Sequence, residues 1–182
     1  MNKDKKVKRL AFMNKNYIFI MLSVFFMLFT IPTFANTTIT LDNGKTIILP
    51  KGFEKNPKEN PPYYALLDYN DKSYAFLTCL TSLQPFNHKI LKQDNLNSMA
   101  QGSLFAYKMQ KGRSNFSSSI RRTKSDYPVI TIKFNEKTDD GEDTIIVNNV
   151  YCENKVYMIT YRFTSNKYAP FNAMIERQIM NF

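Results

Sequence analysis

The chain has 182 residues, with 25 Lys and Arg against 15 Asp and Glu, a formal net charge of +10, and a pI near 9.5. Hydrophobic residues at 43% and aromatic residues at 14% exclude a mainly disordered chain. Two Cys and one His exclude a disulfide-dense scaffold and a four-Cys zinc site, and leave almost no room for histidine triads or histidine metal sites.

Much of the charge is at the front. Residues 1–35 hold six Lys or Arg against the single Asp4, a charge of +5. An apolar run from Tyr17 to Ile31 follows, broken only by Ser23 and Thr30, then Pro32 and a small residue at Ala35. A basic segment, a short apolar stretch and a small residue, in that order, make a secretory signal peptide with cleavage near Ala35. The run is shorter than the roughly 17–25 residues that span a bilayer comfortably, which disfavours an uncleaved anchor. Met13 offers a second start to the same leader. The expected product is a periplasmic or secreted chain of residues 36–182, with 19 basic against 14 acidic residues, in one domain.

Along that chain, Thr38–Leu41 and Thr46–Leu49 flank Asn43-Gly44, a hairpin signal because both turn residues tolerate positive φ. Residues 54–62 are polar and proline-rich and read as a loop. Tyr63–Tyr69 and Ser73–Leu83 form a strand pair. The second run is apolar on both faces, which predicts a central strand covered from two sides. Leu96, Ala100, Leu104 and Tyr107 fall at helical spacing, with Asp94 or Asn95 as cap and Gly112 at the end. Phe116–Thr123 is a Ser-rich edge-strand candidate. Tyr127–Phe134 alternates, and Thr144–Cys152 and Lys155–Phe163 form a hairpin across Glu153-Asn154. Phe171, Ile175, Ile179 and Phe182 make the apolar stripe of a terminal helix, with Pro170 in its first turn. Strands interrupted by two helices predict an α+β fold, an antiparallel β-sheet with two helices packed on it.

Tyr157-Met158-Ile159-Thr160-Tyr161, a short polar break, and the stripe ending Ile179-Met180-Asn181-Phe182 resemble the C-terminal strand and helix of PsbP/DcrB-like domains. Leu49-Pro50-Lys51-Gly52-Phe53 resembles the early turn of those domains, with Phe53 where the family usually carries Trp. The resemblance covers about a quarter of residues 36–182. It implies an antiparallel sheet flanked by helices and a non-catalytic accessory or binding role.

Cys79 and Cys152 are the only thiols, both in strands of a chain expected to be exported. That predicts a disulfide if their strands are neighbours, the alternative being two buried free thiols. His88, between Asn87 and Lys89, reads as an exposed loop residue and a poor partner for a catalytic thiol. The acidic segment Glu136–Asp143 fails the calcium-loop pattern, because Val147 stands where the bidentate Glu would be needed; it reads as a hairpin tip. Lys108, Lys111, Arg113, Arg121, Arg122 and Lys124 are six cations without an intervening acid. They are a candidate anion- or partner-binding segment, for an acidic partner or, weakly, membrane headgroups. A solvated basic edge strand is the plain alternative. No nucleic-acid motif accompanies them. The tyrosines at strand spacing read as sheet residues. No G-x-S-x-G, H-E-x-x-H, P-loop or G-x-G-x-x-G motif occurs, and no cofactor or metal is implied. The expectation is a small exported, non-enzymatic accessory or binding protein. The alternatives are an exported carboxylate-based envelope hydrolase and a protein anchored by an uncleaved leader.

Overall fold

The computed structural model describes residues 36–85 and 87–182, and residues 36–182 form one unit. The signal-peptide reading of residues 1–35 lies outside the described residues. No helix among the described residues is long and apolar enough to cross a membrane.

Among the described residues nine strands and two α-helices follow one another: β1 (Thr38–Thr40), β2 (Thr46–Ile48), β3 (Glu54–Asn56), β4 (Tyr63–Asp68), β5 (Ser73–Leu83), α1 (Gln93–Lys108), β6 (Arg113–Arg122), β7 (Pro128–Thr138), β8 (Gly141–Cys152), β9 (Lys155–Phe163) and α2 (Ala169–Met180). Strands β3 to β9 form one seven-stranded sheet in the order β3-β4-β5-β9-β8-β7-β6, antiparallel throughout. β1 and β2 pair separately as a hairpin. This is the antiparallel α+β arrangement that the alternation of strand and helix periods predicts.

The helices take opposite faces. On one face Ile175 and Ile179 of α2, with Ile39, Ile47 and Leu49 of the hairpin, pack over Leu77, Tyr157, Ile159, Tyr161 and Phe163. Directly paired residues of an antiparallel sheet share a face. Leu77, paired with Tyr161, and Cys79, paired with Ile159, therefore belong to this same core. On the other face Leu96 and Ala100 of α1 pack on Ile130, Ile132, Phe134, Ile145 and Val147.

Local chemistry explains the joins. Gly52 in the Leu49–Phe53 turn has φ +100, a conformation that favours glycine, and a Cβ there would also press on Leu66 Cδ1 at 2.9 Å. The turn buries Phe53, whose ring meets Phe171 edge-on at 6.2 Å between centroids. At the start of α1 the Asn95 side chain accepts the Lys92 N–H at 3.1 Å, the reciprocal half of a capping box. β6 carries a bulge between Ser114 and Ser117, with Asn115 at φ 54. The extra residue delivers Phe116 to the α1 side, stacked on Phe134 with centroids 5.7 Å apart. The last residue is tied down: Ser125 N–H donates to the Phe182 carbonyl at 3.1 Å, and the Phe182 ring is buried.

Four expectations are corrected. Residues 54–62 are not loop throughout: Glu54–Asn56 form β3, paired with Tyr63–Ala65 of β4 at the sheet edge. Cys79 and Cys152 are free thiols, not a disulfide. Both face the α2 side, but β9 lies between their strands, and Cys152 is four residues along β8 from Asn148, which stands level with Ile159 and hence with Cys79. Strand spacing and rise place their Cα atoms roughly 16 Å apart, whereas a disulfide needs about 7 Å or less. His88 is buried rather than exposed: its Nδ1 accepts the Glu153 N–H at 2.8 Å, and its ring meets Tyr127 edge-on at 4.9 Å. β5 is a central strand, yet only one of its faces is covered.

Candidate partner-binding face

Sheet pairing decides what β5 presents to the uncovered side. Phe76 pairs with Ala65 and Arg162, Thr78 with Tyr63 and Thr160, and Leu80 with Met158. All these residues face the α1 side. But α1 lies over β6 and β7, at the far end of the sheet, and among the described residues no element takes its place over β4, β5 and the Thr160–Arg162 end of β9. Tyr63, Phe76, Thr78, Thr160 and Arg162 line an open hollow of about 410 Å³ with largely apolar walls. Tyr63 meets Phe76 edge-on at 5.5 Å, and Tyr74 lies tilted against Phe76 at 4.7 Å. Further along the same two strands a second hollow of about 510 Å³ runs beside α1, lined by Leu80, Met99, Tyr107, Tyr151, Val156 and Met158 among others. Leu67 and Leu80 on this face are 47% and 38% exposed, more than core aliphatic side chains tolerate. Arg162 to Val156 spans six residues of β9, about 20 Å, but β4 flanks β5 only as far as Thr78, so the trough is three strands, about 14 Å, wide at its Arg162 end and narrows to β5 and β9, about 10 Å, beside α1.

One end of the trough is built on charge. Arg162 donates from Nε to Asp143, which is fully buried, and its Nη1 reaches Glu136 at 3.1 Å. Tyr74 donates to the same Asp143 carboxylate at 2.6 Å. Arg113 closes the chain by donating from Nε to Glu136 at 2.7 Å, with its guanidinium stacked over Phe134 at 4.6 Å and Tyr107 at 5.3 Å. Burial and the Asp143 bond both push the Tyr74 phenol above its ordinary value, so it stays a neutral donor. Burial works against the Arg162 charge, but the Asp143 carboxylate overrides it and holds the guanidinium above its usual range. Glu136 and Asp143 are thus not solvated members of an acidic tip. The tip proper is the turn at Asp139-Asp140, both exposed. Among the described residues no cluster of His, Cys, Asp and Glu fits a metal ion.

The six cations singled out in sequence do not converge. Arg113 is spent on Glu136 beneath α1. Arg121 lies on the opposite face of the sheet and pairs with Glu176 of α2 at 3.1 Å. Arg122 pairs with Asp126 at 3.2 Å and donates to the Leu91 carbonyl at 3.4 Å. Lys108 lies over the Phe116 ring at 5.9 Å, and Lys111 and Lys124 are exposed. The run is contiguous along the chain, but a strand sends alternate residues to opposite faces, so it is divided in space. Sequence reasoning missed Tyr63, Phe76, Thr78 and Thr160. The available signal was the two-sided apolarity of β5 set against a single helix for that whole face.

The chain is similar in structure to cyanobacterial PsbP (CyanoP) from Synechocystis sp. PCC 6803, known from a solution structure. The TM-score is 0.57 over 82% of this chain and 92% of that one, at 8% sequence identity. The chain therefore has a PsbP-like fold, as the Leu49–Phe53 turn and the C-terminal strand and helix suggest. No protein-family model and no curated protein matches the sequence.

Proposed function

We propose that the protein is a small exported, non-catalytic accessory domain whose open sheet face receives one amphipathic helix of a partner protein. The observation that carries this reading is β5. Its Phe76, Thr78 and Leu80 form an apolar row suited to burial, and they lie in a trough that α1 leaves open. The trough's width, about 14 Å at the Arg162 end and about 10 Å beside α1, suits the 10–12 Å diameter of a single helix, and its length of about 20 Å matches roughly thirteen helical residues at 1.5 Å each. α1 would be the neighbour of that helix in a completed layer.

Export rests on the basic, apolar and small-residue order of residues 1–35. The non-catalytic reading is favoured by what lines the trough: neither hollow presents a carboxylate, a histidine or a thiol. The nearest acids, Asp143 and Glu136, are committed to Arg162 and Arg113, which disfavours a carboxylate-pair hydrolase.

The test places a photo-crosslinking phenylalanine analogue at Thr78 of the full chain in its own cells. The expected adduct is one other protein, joined through a peptide whose apolar residues recur at helical spacing, and lost when Phe76→Asp is added without a change in Tm. Adducts to residues 1–35 of the same chain, to a second copy or to lipid overturn the reading. So does an adduct that survives Phe76→Asp.

A further inference from the structure

The opposite face holds a different kind of opening. Where α2 stops short of the β6 edge, an open hollow of about 500 Å³ is lined by Ser117, Ser119, Arg121, Thr131, Lys133 and, from the helix, Asn172 and Glu176. Register brings these groups together. Ser117 pairs with Lys133 and Ser119 with Thr131, and Arg121 lies two residues beyond Ser119 on the same face. The hydroxyls of Ser119 and Thr131 therefore stand midway between two cations, Arg121 on one side and Lys133 on the other.

The polar wiring is incomplete. Arg121 Nη2 donates to Glu176 at 3.1 Å and to Thr131 at 3.4 Å. Thr131 donates to Asn148 at 2.8 Å, and Asn172 donates to Glu176 at 3.0 Å. Yet Arg121 Nε, Asn148 Nδ2 and Asn172 Oδ1 are buried without a hydrogen-bond partner. Buried polar atoms in native proteins are almost always satisfied, so three orphans within one network are an anomaly. Asn148 lies beneath the lining; of the two that line the hollow, Arg121 Nε is a donor and Asn172 Oδ1 an acceptor. With Lys133 and the serine hydroxyls, the hollow offers more donors than acceptors, and one carboxylate, Glu176, fixes the guanidinium in place without cancelling both cations.

We infer that this hollow binds a phosphate group, seated over Ser119 and Thr131 and flanked by Arg121 and Lys133. The donor set is the one that phosphate oxygens use: a guanidinium, an ammonium and hydroxyls. The site is independent of the trough, because it lies on the other face of the sheet and shares no residue with it. The phosphate belongs either to a soluble phosphorylated molecule or to a lipid headgroup. Its position at an open sheet edge admits both.

Titration of the protein with inorganic phosphate at fixed ionic strength, against chloride, reads the soluble source by calorimetry. Co-sedimentation with phosphatidylglycerol vesicles, against phosphatidylcholine vesicles, reads the lipid source. Arg121 is tied to Glu176, so its loss confounds binding with folding. Lys133→Met and Ser119→Ala alter exposed side chains and leave the fold intact. Saturable binding in either arm that weakens about tenfold in Lys133→Met, as loss of a charge-assisted hydrogen bond requires, and is unchanged in the exposed Lys111→Met supports the site. Absence of saturable binding in both arms overturns it, as does binding that Lys133→Met leaves intact.

Discussion

Arg162 donates from Nε to Asp143, and the Asp143 side chain is wholly inaccessible while that of Arg162 is 31% exposed. The pair is therefore asymmetric. Removing the arginine strands a buried carboxylate whose Oδ1 already lacks a partner. Breaking a buried pair from one side costs about 3–5 kcal/mol, far more than the net contribution of the pair itself. Because Arg162 is partly solvated, the lower end applies. Arg162→Met should lower the unfolding free energy by about 3 kcal/mol in urea titration. Asp143→Asn keeps an acceptor for Tyr74 and should cost less. A loss under about 1 kcal/mol for Arg162→Met would mean that the Asp143 charge finds water in the folded state.

The two thiols give a second prediction. Burial pushes the Cys79 thiol up to about 12, so little thiolate exists at neutral pH. Cys152 is buried beside Asn43, whose side-chain amide lies 3.6 Å from its sulfur. Native protein should react slowly with thiol reagents at both positions. Unfolded protein should be labelled twice without any reductant, and reductant should leave Tm unchanged. Labelling of unfolded protein only after reduction would show a bond that the strand order forbids.

Much of this fold is legible in local sequence because its connections are local. The hairpin at Asn43-Gly44, the Glu153-Asn154 turn and the stripe Phe171, Ile175, Ile179 and Phe182 each depend on residues a few positions apart, and each is where the pattern puts it. The Ser-rich β6 is indeed the sheet edge. What failed needs strand order. Whether Cys79 and Cys152 touch depends on β9 having been inserted between β5 and β8, which no local pattern encodes. Whether both faces of β5 are covered depends on how far α1 reaches across the sheet. The candidate faces were hidden for the same reason. Tyr63, Phe76 and Thr160 lie on three strands, and Ser119, Lys133 and Glu176 on two strands and a helix. Of the residues that line the two faces, only Arg121 was visible as a candidate, and its charge, not its position, was the signal.

Acid sensitivity follows from three carboxylates. Lys167 joins Asp68 at 2.6 Å and Asp71 at 2.7 Å, tying the β4–β5 turn to the segment before α2. The bond to Lys167 is the main cause that lowers Asp68, and with Ser73 it lowers Asp71 to about 2. Asp42 is lowered by Lys155 first and by the Tyr157 hydroxyl second. A carboxyl whose folded value lies below its unfolded value of about 3.9 stabilises fully above that value and loses its contribution as pH falls toward the folded one. Tm should therefore hold above about pH 5 and decline between about pH 4 and 2. These groups are solvent-facing, so added salt should shrink the decline. Lys167→Met should flatten it further by releasing two of the three. An acid limb identical in Lys167→Met and the parent would assign the decline to other groups.

The last relationship fixes the hairpin to α2. The Gln178 side-chain amide accepts the Ile48 N–H at 2.7 Å and donates to the Ile48 carbonyl at 2.8 Å. On β2 these groups point away from β1, where Leu49 N–H instead meets the Thr37 carbonyl. One glutamine thus acts as a strand partner one residue long for an edge that has no strand. Gln178 is half-buried and its two bonds lie at the surface, so Gln178→Ala should cost only about 0.5–1.5 kcal/mol in global stability. The sharper readout is local. Amide exchange at Ile48 should accelerate more than exchange at Ile47 or Ile159, because the opening that exposes Ile48 needs no sheet hydrogen bond to break. Gln178→Glu separates the two bonds. The carboxylate still accepts from the Ile48 N–H, but it faces the Ile48 carbonyl with no donor, so it should be worse than Gln178→Ala at neutral pH. It should recover below about pH 4, when the protonated acid regains a donor. If Gln178→Glu matched the parent at neutral pH, or if Ile48 exchange were unaltered in Gln178→Ala, the clamp would hold no weight and the apolar contacts of Ile47 and Ile175 alone would seat the hairpin.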